Sequence, residues 1–268
     1  MDKTIELEKI EEMLKELTEK EFVCLTERGN KSIKLALEIA KSLGKTKCIL
    51  QDQGGWMTYK QFAEKLKLEI VEVKTDSGII KLDDMRTKAD ENSVLLINSM
   101  PAYAFLEDMK EILKIAHQKE CLVINDASGS IGTSEAKHGD IVLGSFGEGK
   151  PVNLDYGGFI ATDNDEIYDK FQSNFDSNRY DELLDKLVHL DEKLAIFRIA
   201  REKILKELSE LDIIRRESKG INVIIRYKND IEKQRITDYC VEHDLEYTEC
   251  PRYIRVNEKA ISVEVKKI

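Results

Sequence analysis

Four short segments hold residues whose types and spacing could do chemistry. Ser145-Phe146-Gly147-Glu148-Gly149-Lys150 follows an apolar run and ends on a lysine. An amine placed after a strand can condense with an aldehyde once it loses its charge, which a desolvated or cationic setting favours. The plainer reading makes Lys150 one surface lysine among many. Asp126 directly follows the apolar run CLVIN. In doubly wound sheets, ligands sit beyond the carboxyl ends of the strands. A carboxylate there can hydrogen-bond a protonated ring nitrogen, or it can be an ordinary turn or cap aspartate. Glu27-Arg28-Gly29-Asn30-Lys31-Ser32 joins a strand to a helix. Helix N-termini present unpaired N–H groups and partial positive charge, so they bind phosphate. Gly29 permits a close backbone approach; the alternative is a plain turn with Asn30 as N-cap. Tyr156-Gly157-Gly158 opens a further strand, where paired glycines let the backbone pass close to a ligand or simply turn.

One segment invites a different chemistry. Gly144 to Lys150 satisfies most of GxxxxGK[ST], the phosphate loop of nucleotidases. Pro151 stands where the magnesium-binding hydroxyl is required, and the following residues lead to a strand rather than a helix. Both departures argue against a nucleotide-binding phosphate loop here.

The elements that must position these residues follow from periodicity. Continuous apolar runs such as VLLIN and CLVIN suit strands buried on both faces. Strands are expected at 22–25, 48–50, 69–73, 93–98, 121–125, 141–146 and 158–162, with helices at 32–43, near 59–66, and at 106–119. Strand–helix alternation of this kind implies an α/β fold with a mainly parallel sheet. Residues 165–211 read as long charged helices. After Gly220, strands at 221–227, 245–249, Tyr253–Val256 and 260–265, with a helix at 231–243, read as a small α+β unit. The expected division is 1–180 and 181–268, with an N-terminal helix over 1–21.

Composition limits the classes of function. The chain has 268 residues, 41% hydrophobic and 35% charged, with a net charge of −10. The acidic balance argues against general nucleic-acid binding, which needs a basic footprint. No stretch approaches the run of about 18 apolar residues that spans a bilayer, and the N-terminus lacks a signal-peptide core. The five cysteines are scattered; Cys24, Cys48 and Cys121 lie inside apolar runs and read as small buried hydrophobes in a reducing, cytoplasmic compartment. No metal-ligand spacing is present.

Together the four segments resemble fold-type-I pyridoxal-phosphate (PLP) enzymes, and most closely the DegT/DnrJ/EryC1/StrS aminotransferases. Gly139-Asp140-Ile141, then Ser145-Phe146, Lys150, Gly157-Gly158 and Thr162 lie over that family's pattern without a gap. Asp126 is 24 residues before the lysine (150 − 126), close to the family spacing. The resemblance covers roughly residues 22–170, and implies a three-layer PLP-transferase large domain with a small C-terminal α+β domain. It implies Lys150 as the Schiff-base lysine and proton shuttle, and Asp126 as partner of the pyridine nitrogen. Gly29, Asn30, Lys31 and Ser145 would grip the phosphate, Trp56 would stack on the ring, and Ser128 or Asn98 would reach the ring hydroxyl. Arg255, in a strand resembling the small-domain carboxylate-binding strand, and Tyr103 would face the substrate. Gly129 departs from the family's usual His or Gln, and common members are longer, so sugar-nucleotide specificity is not implied. The expected activity is transamination of an amino acid or amino sugar by a homodimer with a shared site. The alternatives are a PLP lyase or sulfur/selenium transferase, and a non-catalytic or nucleotide-binding α/β protein.

Overall fold

The computed structural model describes residues 3–268. Its first strands are β1 (Phe22–Thr26), β2 (Lys47–Gln51) and β3 (Glu69–Val73), followed by the short pair β4 (Thr75–Asp76) and β5 (Ile79–Ile80). Next come β6 (Ser93–Asn98), β7 (Leu122–Asp126), β8 (Ile141–Ser145) and β9 (Gly158–Thr162). All of these but β4 and β5 form one seven-stranded sheet in the order β1-β9-β8-β7-β6-β2-β3. The pairs from β3 through β8 are parallel, and β9 runs antiparallel to both β8 and β1.

The α-helices up to residue 188 are α1 (Lys3–Thr18), α2 (Gly29–Ser42), α3 (Thr58–Lys65), α4 (Leu82–Lys88), α5 (Met109–His117), α6 (Asp165–Tyr168) and α7 (Tyr180–Val188). Alternation along the strands sorts them into two layers. Cys24, Cys48, Leu50, Leu96, Ile124, Leu143 and Ile160 face α2, α3 and α6. Val23, Leu25, Val142 and Ala161 pack under α1 and α7, and Ile49, Leu95, Ile97 and Val123 under α4 and α5. Val94 to Ile97 have no exposed surface. Each such side chain contributes roughly 1.5–3 kcal/mol of burial, and only a strand covered on both faces can bury all four in succession. This is the three-layer α/β fold expected.

The rest of the chain builds a second sheet. Helix α8 (Leu190–Glu207) leads to β10 (Asp212–Ile213), β11 (Val223–Arg226), α9 (Asp230–Glu242), β12 (Tyr247–Cys250) and β13 (Ala260–Val263). The strands are antiparallel in the order β10-β11-β13-β12. One face packs on α8 and α9 through Val223, Ile225, Ile261 and Val263. Ile224 and Ala260 share the other cluster with Ala102, Ala104 and Phe105 of the first unit.

Three expectations need correction. Tyr253–Val256 is not a strand: Arg252 N donates to the Val256 carbonyl at 2.8 Å and Arg255 N to the Arg252 carbonyl at 2.9 Å, closing a turn. Its apolar alternation reflects one inward residue, Val256, which is fully buried. The N-terminal helix ends at Thr18 rather than residue 21, and Glu19 adopts a left-handed φ of 50°; residues 1 and 2 of that expected helix lie outside the described residues. Strands β4, β5 and β10 and helix α4 were not anticipated. Two-residue strands and a seven-residue helix carry too few periods to register in a sequence.

Candidate active site

The carboxyl ends of the parallel strands converge on one cavity of about 440 Å³, within the usual range for small-molecule sites. Asn98 ends β6, Asp126 ends β7 and Ser145 ends β8; all three line it. Antiparallel β9 begins at the same edge, so Gly157 lines it too. The remaining walls include Arg28, Gly29, Asn30, Trp56, Tyr59, Tyr103, Ser128, Lys150 and Arg255.

Lys150 sits on the loop after β8, and its Nζ donates to the Tyr103 hydroxyl at 2.5 Å. The same Nζ lies 5.1 Å from the centroid of the Trp56 ring, within cation–π range. Burial works to lower the Lys150 pKa, but the interactions with Tyr103 and Asp126 outweigh it and hold the amine above its ordinary 10.5. The free protein therefore presents a cation, which must shed a proton before its nitrogen can act as a nucleophile.

Asp126 is 5% exposed. Its Oδ2 accepts from the buried Tyr59 hydroxyl at 2.5 Å, and its Oδ1 from Ser128 N at 3.0 Å. The carboxylate is thus fixed in direction at the base of the cavity. Burial, then the neighbouring Asp126, push the Tyr59 pKa far above its ordinary value, so Tyr59 stays a donor.

The turn between β1 and α2 borders the cavity through Arg28, Gly29 and Asn30. The N-cap of α2 is Arg28, in an extended conformation, and no side chain among the described residues caps the helix. Asn30, the cap of the plain-turn alternative, instead accepts at Oδ1 from Trp56 Nε1 (3.1 Å) and Thr58 Oγ1 (3.2 Å). This turn is backbone packed on backbone: a Cβ at Gly158 would lie 2.5 Å from the Gly144 carbonyl oxygen and 2.9 Å from Gly29 N. Ser145 borders it, with Oγ accepting from Gly147 N at 3.1 Å, while Ser128 Oγ accepts from Ser145 N at 2.9 Å.

Two expected residues stand differently. Lys31 does not line the cavity; it points to solvent and pairs with Glu27 at 3.2 Å, one helical turn away. Arg255 reaches the cavity but gives its fork to Glu264, with Nε at 2.7 Å from Oε1 and Nη2 at 2.8 Å from Oε2. Asn98 lines the wall with both ends of its amide engaged by backbone, at Gly54 O and Met100 N. Sequence reasoning missed Tyr59, Glu264 and Lys266. The signal for Tyr59 was a tyrosine on the inner face of α3, one turn before buried Ala63, since a buried phenol needs a polar partner. Glu264 and Lys266 lie just past β13, in and before a short 3-10 turn, where nothing local marks them.

Comparison with known proteins comes to the same architecture. The family described as the DegT/DnrJ/EryC1/StrS aminotransferase family matches residues 3–180, and the MJ1341 family C-terminal domain matches residues 190–268. No curated protein matches. NtdA from Bacillus subtilis, solved with bound cofactor PMP, superposes with a TM-score of 0.79 at 16% identity, covering 97% of this chain and 72% of that one. The sugar aminotransferase CalS13 from Micromonospora echinospora gives 0.78 at 15%, covering 97% and 86%. The E. coli GDP-4-keto-6-deoxy-D-mannose-3-dehydratase, solved with hydrated PLP, gives 0.75 at 14%, covering 96% and 87%.

Proposed function

The chain belongs to the DegT/DnrJ/EryC1/StrS aminotransferase family, and on that premise we propose that it is a PLP-dependent aminotransferase, anchored at Lys150, acting on an amino sugar or amino acid. The observation that carries this is the meeting of Lys150, Asp126 and the uncapped N-terminus of α2 in one cavity. The donor set fits the cofactor: an amine for its aldehyde, a buried carboxylate for its ring nitrogen, and open backbone N–H groups for its phosphate.

When bound, PLP supplies the electron sink that lets a carbon beside the amine lose its proton. The protein's own residues do the rest. Asp126, aimed by Tyr59 and Ser128 N, would accept from the ring N–H and keep that proton in place. Gly29, Asn30 and Ser145 would hold the phosphate, and Trp56 would cover the ring. Ser128 keeps its hydroxyl proton free to donate while its oxygen accepts from Ser145 N. Lys150 Nζ takes the substrate α-proton and returns it. Arg255, with two N–H groups left beyond Glu264 and Ile254, and Tyr103 border the substrate's space.

The cysteines favour transamination over sulfur transfer. All five are buried, and burial raises the pKa of each; sulfur transfer needs an accessible thiolate. Five free thiols also suit a reducing, cytoplasmic setting, and no described helix is long and apolar enough to cross a membrane. Trp56, Met57 and Tyr253 expose 36%, 56% and 40% of their surface. This apolar rim supports a homodimer in which the partner closes the site, checked by light scattering.

The test is a spectral scan. PLP should give a visible band that borohydride removes while fixing the cofactor to the Lys150 peptide, and the band should be absent in Lys150→Ala. Amino donors that convert the cofactor to pyridoxamine phosphate then identify the substrate. A protein that takes up no PLP refutes the cofactor assignment, and sulfide release without keto-acid formation refutes transamination.

A further inference from the structure

Tyr103 stands in a setting that neither stacking nor core packing explains. Its hydroxyl is the hydrogen-bond partner of Lys150 Nζ at 2.5 Å. Three cations surround its ring: Lys266 Nζ at 4.8 Å from the centroid, Lys150 Nζ at 5.0 Å and Arg255 Cζ at 5.7 Å. The backbone is held there against its preference. Ala102 and Tyr103 have φ of 57° and 58°, a region that non-glycine residues enter at a cost of roughly 1–3 kcal/mol each. The second sheet supplies the restraint. Both Ile221 N and Asn222 N donate to the Tyr103 carbonyl at 2.7 Å, and Asn222 Nδ2 donates to the Ala102 carbonyl at 3.2 Å. Glu264 orders the charges behind the ring, binding Arg255 and Asn222, with Lys266 Nζ at 3.9 Å. Lys266 donates in turn to the Gly149 carbonyl at 3.0 Å, next to Lys150.

We infer that Tyr103 is a second proton-carrying catalytic residue, relaying protons to and from Lys150 Nζ. The inference rests on the cofactor assignment to Lys150. When the Lys150 amine condenses with an aldehyde, a carbon–nitrogen double bond forms, the carbon–oxygen double bond breaks and water leaves. Both protons of the neutral amine nitrogen end on the departing oxygen, and no oxidant or reductant enters. Tyr103 accepts one of these protons at its hydroxyl oxygen and passes its own onward to the departing oxygen or to water in the cavity. The same relay serves Lys150 each time it must change protonation state. Lys266 and Arg255 are positioning residues: they hold the ring, and their charge keeps it oriented toward the amine.

The experiment is PLP capture by the apoprotein, followed as the rise of the visible band across pH. In Tyr103→Phe the ring and its cation contacts remain while the relay is lost. The alkaline plateau of the capture rate should fall about a hundred-fold, the lower end of general acid–base effects, with full final absorbance. The midpoint should also move to lower pH, because Tyr103 is one of the groups that hold the proton on Lys150. A plateau equal to that of the unaltered protein overturns the relay whatever the midpoint does. Unaltered protein that captures no PLP overturns the cofactor assignment, and the relay with it. Should the variant not fold, capture by the unaltered protein in mixtures of light and heavy water decides. Two protons moving together bow the rate below a straight line, and a straight line overturns the relay.

Discussion

Glu107 gives the sharpest test of how the site is supported. Its carboxyl is buried at 3% exposure and accepts from Ile80 N at 3.0 Å and Gln51 Nε2 at 2.9 Å. Gln51 in turn accepts from Asn98 N at 2.9 Å and donates to the Gly78 carbonyl at 2.8 Å. Glu107 thus ties the β4–β5 hairpin to the strand ends beside the cavity. Burial raises its pKa from 4.5 to about 8, despite those donors. The folded state therefore prefers the neutral acid. As pH rises above 4.5 the unfolded chain releases the proton first, and stability is lost until the folded group ionises near 8. A gap of 3.5 pH units (8 − 4.5) at 1.36 kcal/mol each corresponds to about 5 kcal/mol across that window. Glu107→Gln keeps a neutral acceptor of the same shape and removes the titration. Urea midpoints measured from pH 5 to 9 should fall with pH in the unaltered protein more steeply than in the variant. The difference should grow through pH 8 and then level off. Two parallel curves would refute the assignment of a neutral buried Glu107.

Further expectations follow from single contacts. Tyr59→Phe strips a buried donor from Asp126 Oδ2, which costs about 1–3 kcal/mol. The loss should be visible in urea unfolding of the apoprotein, and PLP affinity should weaken with it. A Cβ at Gly220 would lie 2.1 Å from the Ala104 carbonyl carbon, so Gly220→Ala should cost about 1–3 kcal/mol as overpacking. It should also slow PLP capture by shifting the adjacent Tyr103 turn, both measurable on one preparation. The chain's single tryptophan lines the cavity. Its fluorescence should therefore drop as PLP binds, in step with the visible band, and an unchanged emission would place Trp56 off the ring.

What was legible in the sequence was local. Asp126 and Lys150 announce themselves because each follows an apolar run that can only be an interior strand, and strand ends are where α/β sheets place ligands. The glycines at 29, 157 and 158 mark close backbone approaches for the same reason. What was not legible depends on distant partners. Nothing near Glu264 tells that it faces Arg255, or that Arg255 is thereby occupied. Tyr253–Val256 alternates like a strand but is a turn, because four residues with one buried apolar side chain satisfy either geometry. Lys31 sat within the right segment on the wrong face of α2, a distinction that one helical residue decides.

The clamp on the Tyr103 turn also sets when the site can exist. Its partner Asn222 lies 120 residues beyond Ala102 in sequence, and the Lys266–Gly149 contact spans 117. Contacts of this separation close large loops before they gain anything, so they form late in folding. Strands β2, β3 and β6 to β9 of the seven-stranded sheet can assemble through nearer crossovers while the cavity is still open on that side. The rate at which refolding protein becomes competent to bind cofactor should therefore lag the recovery of its secondary structure, and the lag measures the docking of the second sheet.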